Sequence, residues 1–306
     1  MKTGLVLVNF HNETETLGIA KQFAEYDFIS DIVIVDNEAT KKSRKVLNTG
    51  AAKVKYICSD HNTGYSRANN AGIRYLESKG CEAYIISNSD IEITEETVKE
   101  LIDKMEESPE YGLLAPVLHD NYGKAIELRT VPLNYKRLFL RLLPGLDKDS
   151  FERLGINNGI TDQSMVSGSF FVARSSAMKA SGYFDSNVFL YREEEILGKR
   201  MEKAGYKAGV VRDLHFIHLH DYAGTGAGEY YNQLRRESFS ERYYFKRYMG
   251  ANTCQMVYVT LMQMLFTLVV IGRNERHKIK EKLSNRCKNC CNECSVDCKC
   301  GAAKDC

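Results

Sequence analysis

The residues best suited to chemistry in the first half of this 306-residue chain are Asn88-Ser89-Asp90, which follow the apolar residues 83–86 after a single serine. A short apolar run bounded by polar residues is typical of a buried strand, and ligands of open α/β sheets bind where such strands end. A carboxylate there can bind Mg²⁺ or Mn²⁺, which take oxygen ligands and share them with substrate phosphates. Asp90 also suits a turn that caps a helix beginning near Thr94, so a structural role is the alternative.

Three consecutive carboxylates, Glu193, Glu194 and Glu195, form the second group that could do chemistry. A carboxylate can act as a general base that takes a proton from an attacking hydroxyl. Adjacent carboxylates raise one another's pKa, which helps such a base to work near neutral pH. Acidic residues are also favoured at helix N-termini by the helix dipole, so this run has a structural interpretation too.

Alternating strands and helices must position these groups. Apolar runs predict strands at residues 5–8, 32–35, 54–58, 83–86 and 113–117. Apolar residues at helical spacing predict helices at 15–26, 67–79 and 95–107. Strict alternation of the two predicts an α/β fold with a mainly parallel central sheet and helices on its faces.

The second half of the chain repeats these signals after an irregular segment, residues 121–163. That segment contains an apolar and basic stretch at 136–143, which could cover a substrate or touch a membrane surface. Strands are predicted at 169–173 and 208–211, and a charged helix is predicted from about 192 to 203, ending before Gly205.

Composition and missing motifs exclude several classes of protein. The net charge of +2 gives no reason to expect a nucleic-acid partner. No Gly-x-Gly-x-x-Gly follows the first apolar run and no P-loop motif occurs, which argues against a dinucleotide enzyme and a P-loop NTPase. That first run is too short for a secretory signal peptide, so we expect the body of the protein in the cytoplasm.

Seven short motifs stand in an order that resembles the family 2 glycosyltransferases of bacterial polysaccharide synthesis, and the resemblance covers residue 4 to about 250. They are Val8-Asn9-Phe10, Ile34-Val35-Asp36-Asn37, Asn62-Thr63-Gly64-Tyr65 through Asn70-Ala71-Gly72-Ile73, Asn88-Ser89-Asp90, Val166-Ser167-Gly168-Ser169-Phe170-Phe171, Gly182-Tyr183-Phe184-Asp185 and Phe189-Leu190-Tyr191-Arg192-Glu193-Glu194. Each motif is common by itself, and the ordered set carries the resemblance. It implies a Rossmann-like nucleotide-diphospho-sugar transferase fold of the GT-A type.

The resemblance also implies a binding site for the donor nucleotide. In this site Asp36 would bond to the base or the ribose, as acidic residues at strand ends do with ribose hydroxyls. The implied donor-binding residues are Asp36, Asn37, Asn62, Gly64, Asn70, Ser89 and Gly168.

A divalent cation, Mg²⁺ or Mn²⁺, is implied at the donor diphosphate. Asp90 matches the last acid of the family's Asp-x-Asp motif, whereas the first acid is replaced by Asn88, a neutral ligand. His218 stands where the family often has a histidine, and it is expected either to contact the metal or phosphate or to serve a structural role.

Glu194 occupies the position of the family's catalytic base, with Glu193 beside it, and the choice between the two is open. Enzymes of this kind invert the anomeric carbon by direct displacement, which requires a base for the acceptor hydroxyl. Arg235 and Arg236 have two alternative interpretations: contact with the diphosphate, or a position on a solvated helix face.

An apolar segment, residues 256–272, precedes six basic residues within 273–286. As a helix it would be about 26 Å long, just short of a hydrocarbon core of about 30 Å. A helix lying in the interface of an anionic membrane and a buried core or dimer helix are the two main interpretations, and a full span is a third.

A cysteine-rich tail ends the chain, with seven cysteines in residues 287–306. The pairs Cys287/Cys290 and Cys291/Cys294 have the spacing of thiolate ligands for Zn²⁺. A redox-prone tail and lipidation are the alternatives, and the family resemblance does not cover this segment.

We therefore expect a catalytic domain at 1–250, with a nucleotide-binding half at about 1–120 and an acceptor half at about 164–250. A membrane-associating segment, 251–286, and the tail, 287–306, would follow. The expected activity is transfer of a sugar from a nucleotide-diphosphate donor to a lipid-linked or polysaccharide acceptor at the inner face of the membrane. A sugar nucleotidyltransferase and a non-catalytic binding scaffold are the rival hypotheses.

Overall fold

The structure, a computed structural model, describes residues 1–126, 133–143, 156–157, 159–219 and 227–272. In this part of the chain the strands are β1 (Thr3–Asn9), β2 (Ile29–Asn37), β3 (Val54–Ser59), β4 (Ala83–Ser87), β5 (Ile91–Glu92), β6 (Tyr111–His119), β7 (Ile156–Asn157), β8 (Ile160–Gln163), β9 (Phe170–Arg174) and β10 (Lys207–His218). They form one sheet in the order β3-β2-β1-β4-β9-β6-β10-β8-β7, and β5 pairs with β10.

Nine helices are described in the same part of the chain. They are α1 (Glu13–Ala24), α2 (Lys41–Leu47), α3 (Tyr65–Ser78), α4 (Glu95–Glu107), α5 (Tyr135–Leu140), α6 (Ser175–Ser181), α7 (Glu193–Lys203), α8 (Ala227–Arg247) and α9 (Thr253–Gly272).

Two hydrophobic cores lie on opposite faces of the sheet, because successive side chains of a strand point to opposite sides. In β1, Leu5 belongs to the core that contains Phe23 of α1 and Leu101 of α4. Its neighbour Val6 belongs to the other core, together with Leu76 of α3. All these side chains are fully buried, and each such burial stabilises the fold by roughly 1.5–3 kcal/mol.

Strand direction brings the functional segments to one edge of the sheet. The parallel pairs β1/β2, β2/β3, β1/β4 and β6/β10 make the first half parallel, as predicted. The sheet as a whole is mixed, because β9 runs antiparallel between β4 and β6. The amino end of β9 therefore lies beside the carboxyl end of β4, where Asn88 N–H donates to Ser169 O at 2.8 Å.

The predicted strands and helices of the first half are confirmed to within a few residues, and two details differ. The short α2 was not predicted, and a capping box between Thr40 and Ser43 starts it. Strand β10 extends beyond the predicted residues 208–211, because a register shift between Val211 and His215 lets pairing with β6 resume. This extension places His218 inside the sheet.

Helix α4 settles one open alternative for Asp90. The helix begins after Thr94, whose side-chain oxygen accepts the backbone N–H of Thr97 at 3.2 Å. Thr94 therefore caps the helix, and the capping interpretation of Asp90 is wrong.

The contacts divide the chain into two units, one formed by residues 1–134 and 148–256 and the other by 135–147 and 257–306. In the second unit, Tyr258 O–H donates to the backbone oxygen of Tyr135 at 3.2 Å. The helix α9 starts at Thr253, three residues earlier than predicted, and is long and apolar enough to cross a membrane. Many of its described apolar side chains are exposed, which does not match a buried core helix: Val257, Leu261, Met264, Leu265, Leu268 and Ile271.

Adding one methyl group at Gly198 of α7 is expected to lower the free energy of unfolding by about 1–3 kcal/mol. Its Cβ would overlap the backbone carbonyl of Ser164, which cannot rotate away as a side chain would. Gly18→Ala in α1 is the matched control, because a Cβ there meets nothing within 4 Å and should add up to about 1 kcal/mol of helix propensity. Chemical denaturation of Gly198→Ala, Gly18→Ala and the parent chain measures both changes, and equal midpoints for all three would contradict this packing.

Candidate active site

The predicted site residues gather at the carboxyl edge of the parallel strands. Asp36 and Asn37 end β2, Asp90 follows β4, Gly168 precedes β9, and His218 ends β10. Because six strands, β1 to β4, β6 and β10, point the same way, segments that are distant in sequence open on this one edge. This edge is where an open α/β sheet binds ligands.

The carboxylate of Asp36 is buried and already accepts three hydrogen bonds. Its Oδ1 accepts from Asn9 Nδ2 at 2.7 Å, and its Oδ2 accepts from the hydroxyls of Ser43 and Tyr56, both at 2.6 Å. Burial and the bond to Asp36 raise the pKa of Tyr56. Asp36 thus joins β1, β2, α2 and β3, in addition to the nucleotide contact predicted for it.

A chain of hydrogen bonds shapes the loop that leads into α3. Asn37 Oδ1 accepts from the N–H and the hydroxyl of Thr63, both at 2.8 Å, and Asn37 Nδ2 donates to Asn62 Oδ1 at 3.0 Å. The same oxygen of Asn62 accepts from Gly64 N–H at 2.9 Å. The structure therefore brings these three predicted residues, Asn37, Asn62 and Gly64, together.

Gly64 is required where this loop touches the second half of the chain. Its φ is +84°, and a Cβ would overlap the backbone of Phe189. The next residue, Tyr65, donates its N–H to Phe189 O at 2.9 Å. Asn70 makes a second contact with the same segment: its side-chain amide donates to the C=O of Phe184 and accepts from the N–H of Phe184. Both contacts dock residues 184–189 against α3.

Asp90 and His218 form a carboxylate–imidazole pair. Asp90 Oδ1 lies 3.2 Å from His218 Nε2, and the backbone oxygen of Asp90 accepts from Leu219 N–H at 2.8 Å. The Asp90 side chain is 27% exposed and that of His218 is 11% exposed, so the carboxylate remains accessible from the site. Asn88 and Ser89 precede the pair and are half-buried.

These residues fit a cation that is shared with a substrate. In the described part of the chain no group of three or more His, Cys, Asp or Glu side chains could hold a metal ion by itself. Asp90 could supply an oxygen ligand and His218 a nitrogen ligand, and Asn88 stands two residues before Asp90. Mg²⁺ is usually held by one or two carboxylates together with substrate phosphates, which matches this small donor set.

Glu193 and Glu194 lie at the first turn of α7, in an environment that raises the pKa of both carboxyl groups. Glu193 is buried, and its Oε2 has no hydrogen-bond partner among the described residues. Burial, together with the neighbouring carboxylate of Glu194, raises the pKa of Glu193 well above its usual range. Burial and the charge of Glu195 also raise the pKa of Glu194, against an opposing hydrogen bond from the Gly168 backbone.

Gly168 leaves the space that Glu194 occupies. A Cβ at Gly168 would overlap Oε1 of Glu194, so a side chain at this position of the loop before β9 would displace the Glu194 carboxyl group. The backbone oxygen of Gly168 accepts from the hydroxyl of Tyr65 at 2.6 Å. Burial and the two carboxyls, Glu194 and then Glu193, raise the pKa of Tyr65 well above its usual range. Tyr65 belongs to the site and was missed in the sequence, although it lies inside a matched motif.

Arg192 fixes the start of α7 and was also missed. Its guanidinium lies 2.6 Å from Glu237, 2.7 Å from Glu241 and 3.2 Å from Glu195. Arg192 is the N-cap residue, and both it and Tyr191 have a φ of +69°, an uncommon backbone conformation for residues other than glycine. The signal available in the sequence was an arginine next to three glutamates. Only the fold shows that α8 supplies two further carboxylates, Glu237 and Glu241.

The cysteines Cys287, Cys290, Cys291 and Cys294 lie outside the described residues, as do the basic residues after Gly272. The predicted Zn²⁺ site in the tail therefore stays a prediction.

The sheet, with its ligand edge, is that of a known class of enzymes. A mannosyltransferase from Pyrobaculum calidifontis, PcManGT, solved with GDP-Man and Mn²⁺, superposes with a TM-score of 0.57 at 10% identity. The match covers 90% of this chain and 75% of that chain. The chain therefore has the GT-A fold of nucleotide-diphospho-sugar transferases.

The family is given by the sequence match. The family model for glycosyl transferase family 2 matches residues 6–178, and the chain belongs to this family. It is a glycosyltransferase, as the ordered motifs predicted.

Two curated relatives match a large part of the chain. The hexosyltransferase Agl10 of low-salt glycan biosynthesis in Haloferax volcanii is 25% identical over 215 residues, which is 70% of this chain and 66% of that protein. The N-acetylglucosaminyl-diphospho-decaprenol L-rhamnosyltransferase of Mycobacterium tuberculosis is 24% identical over 209 residues, 64% of this chain and 68% of that enzyme. The matched region thus spans about two thirds of the length of each relative.

Glu193→Gln is expected to raise the free energy of unfolding at pH 8 by about 1–3 kcal/mol, because the amide cannot ionise and so removes the cost of a charge buried without a partner. A carboxyl with a raised folded-state pKa loses stability as pH rises from its ordinary value, about 4.3, through the raised value. Unfolding followed from pH 4.5 to pH 8 should therefore show a flatter profile for Glu193→Gln than for the parent.

The neighbouring variant Glu195→Gln is the matched control, because it removes a carboxylate that is paired with Arg192. It should destabilise the fold at pH 8, the opposite sign. If both variants change stability in the same direction, Glu193 is not a strained carboxyl.

Proposed function

We propose that this glycosyltransferase moves a sugar, with inversion, from a nucleotide-diphosphate donor to a lipid-linked acceptor during cell-surface polysaccharide synthesis. The observation that carries the proposal is the carboxyl pair Glu193–Glu194, whose raised pKa values suit proton transfer near neutral pH. The pair belongs to the unit that also holds Asp36 and the Asp90–His218 pair. A base close to a nucleotide-diphosphate site is what direct displacement requires.

Glu194 is the better candidate for the base. It is half-buried, whereas Glu193 is buried and its free oxygen lacks a partner among the described residues. As the acceptor oxygen forms its bond to the anomeric carbon, Glu194 takes the hydroxyl proton, and the bond from that carbon to the diphosphate oxygen breaks. Burial and the charge of Glu195 raise the proton affinity of Glu194, which suits a base that accepts a proton near neutral pH.

The donor would lie along the same edge of the sheet. Asp36 and Asn37 would bind the nucleoside, and Gly64 would shape the pocket by letting its loop pack against Phe189. Asp90, His218 and Asn88 would hold Mg²⁺ or Mn²⁺, which when bound would neutralise charge on the departing diphosphate. The mannosyltransferase of Pyrobaculum calidifontis, which was solved with both GDP-Man and Mn²⁺, supports this assignment.

A lipid-linked acceptor is supported by the decaprenol-linked substrate in the name of the mycobacterial relative. The apolar α9, followed by six basic residues, supports association with an anionic membrane surface at its cytoplasmic side. The domain division expected from the sequence, with a catalytic body at 1–250 and a membrane-associating segment at 251–286, belongs to the same proposal.

The first experiment measures release of nucleotide diphosphate by the purified full chain from UDP-, TDP- and GDP-sugars, each with Mn²⁺ or Mg²⁺. Slow hydrolysis of one donor would establish the enzyme and name its donor. No release from any donor, combined with no donor binding by calorimetry, would favour the non-catalytic scaffold instead.

Glu194→Gln is expected to lower kcat at least about 10²-fold while donor affinity stays close to that of the parent, because only proton transfer is removed. Steady-state kinetics, with donor binding measured by calorimetry, check this. Glu193→Gln is the matched comparison: if it alone lowers kcat to this extent, the base is Glu193.

Asp90→Ala is expected to abolish Mn²⁺-dependent turnover, because the carboxylate that would bind the ion is lost. It should also weaken donor binding when the metal is present. Donor titrations with and without Mn²⁺, with circular dichroism to show that the fold persists, separate binding from stability. Activity with an unchanged Mn²⁺ dependence would remove Asp90 from the metal site.

A further inference from the structure

A groove of about 560 Å³ lies between the segment that precedes α7 and one face of α8. Phe189 and Leu190 form one side of it. Arg235, Arg236 and Phe239 form the other, and their spacing places them on a single face of the helix. All these residues belong to the unit that also contains Glu193 and Glu194.

The groove is strongly positive. Arg242 also lines it, so three arginines meet there, and its described lining contains no carboxylate. Arg235 and Arg236 are exposed and form no ion pair with any residue in the described ranges. The nearby acids of α8, Glu237 and Glu241, are bound by Arg192 instead. Arg235 and Arg236, which have no acidic partner among the described residues, are suited to phosphate groups, which arginine can bind bidentately.

The groove also exposes aromatic surface. Phe189 is 37% exposed and Phe239 is 59% exposed, and the guanidinium of Arg236 lies 5.9 Å from the centre of the Phe189 ring. A purely ionic ligand would have no use for two exposed rings. The combination indicates a ligand that carries both negative charge and an apolar part.

One of the segments that line the groove continues into the candidate base. Leu190 lies only three residues before Glu193, and its backbone oxygen accepts from the hydroxyl of Ser240 on α8 at 2.7 Å. The other wall residue, Phe189, bonds to α3 through Tyr65 N–H. A ligand in the groove would thus lie against the segment that leads directly into the catalytic carboxyls.

We infer that this groove binds the diphosphate and the first apolar part of the lipid-linked acceptor, with Arg235 and Arg236 on the diphosphate and the two phenylalanines beside the prenyl chain. The inference rests on the proposed function. The reaction brings together two diphosphates, and they require different sites. The donor diphosphate would belong with Asp90 and its cation, whereas a groove whose described lining holds arginines and no carboxylate suits a diphosphate that is bound by arginine.

The test is a calorimetric titration of the full chain in detergent with farnesyl diphosphate, a short prenyl diphosphate, and separately with UDP, TDP and GDP in the presence of Mn²⁺. The variant is Arg235→Ala/Arg236→Ala. The control, Lys203→Ala/Arg247→Ala, removes the same charge from a different groove. We expect the Kd for farnesyl diphosphate to rise at least about 30-fold in the arginine variant, from the loss of charge-assisted hydrogen bonds, and not in the control.

Three results would overturn the inference: no binding of farnesyl diphosphate by the parent, equal binding by the arginine variant, or an equal loss of nucleoside-diphosphate affinity in that variant. The last result would assign the groove to the donor. Donor hydrolysis measured in the absence of acceptor separates the two proposals. If the parent hydrolyses a donor but does not bind farnesyl diphosphate, only the acceptor-groove inference fails. Absence of both donor hydrolysis and donor binding in the parent defeats the proposed function, while the titration still decides what the groove binds.

Discussion

The ion cluster around Arg192 is the interaction on which the candidate site depends. One guanidinium meets three carboxylates, and two of these come from α8. The cluster holds α7 and α8 together and positions the first turn of α7, although the N-cap residue itself has an unfavourable backbone conformation. The positive charge of Arg192 also favours the ionised forms of Glu193 and Glu194, although burial has the stronger, opposite effect. The same contact thus positions the carboxyl pair and partly offsets the effect of burial on its protonation.

The direction of β9 is the second constraint. A fully parallel sheet would place the loop before β9 at the edge opposite the ligands. Because β9 is antiparallel, Gly168 instead lies beside the end of β4 and against Glu194. The second half of the chain therefore completes a site that the first half begins, and the docking of Phe189 on Gly64 holds the two together.

Much of the fold could be predicted from the sequence, because buried strands and amphipathic helices leave clear periodic signals. The strands β1 to β4 and the helix α4 are examples, and the ordered motifs identified the family. Pairings that depend on distant segments left no such signal. The bond between Asp90 and His218 requires β10 to resume pairing after a register shift, and the pairing of Arg192 with Glu237 and Glu241 requires α8 to pack on α7. Tyr65 lay within a recognised motif, but its contact with Gly168 spans 103 residues.

Asp36 has a consequence for how this enzyme can change over evolutionary time. Its carboxylate accepts from Asn9, Ser43 and Tyr56, so the residue expected to bind the nucleoside also joins three strands and a helix. A mutation that altered nucleoside preference at this position would at once loosen the beginning of the sheet. Drift toward a different donor nucleotide is therefore easier through residues at the rim of the site, such as the half-buried Ser89, than through the strand-end acid itself.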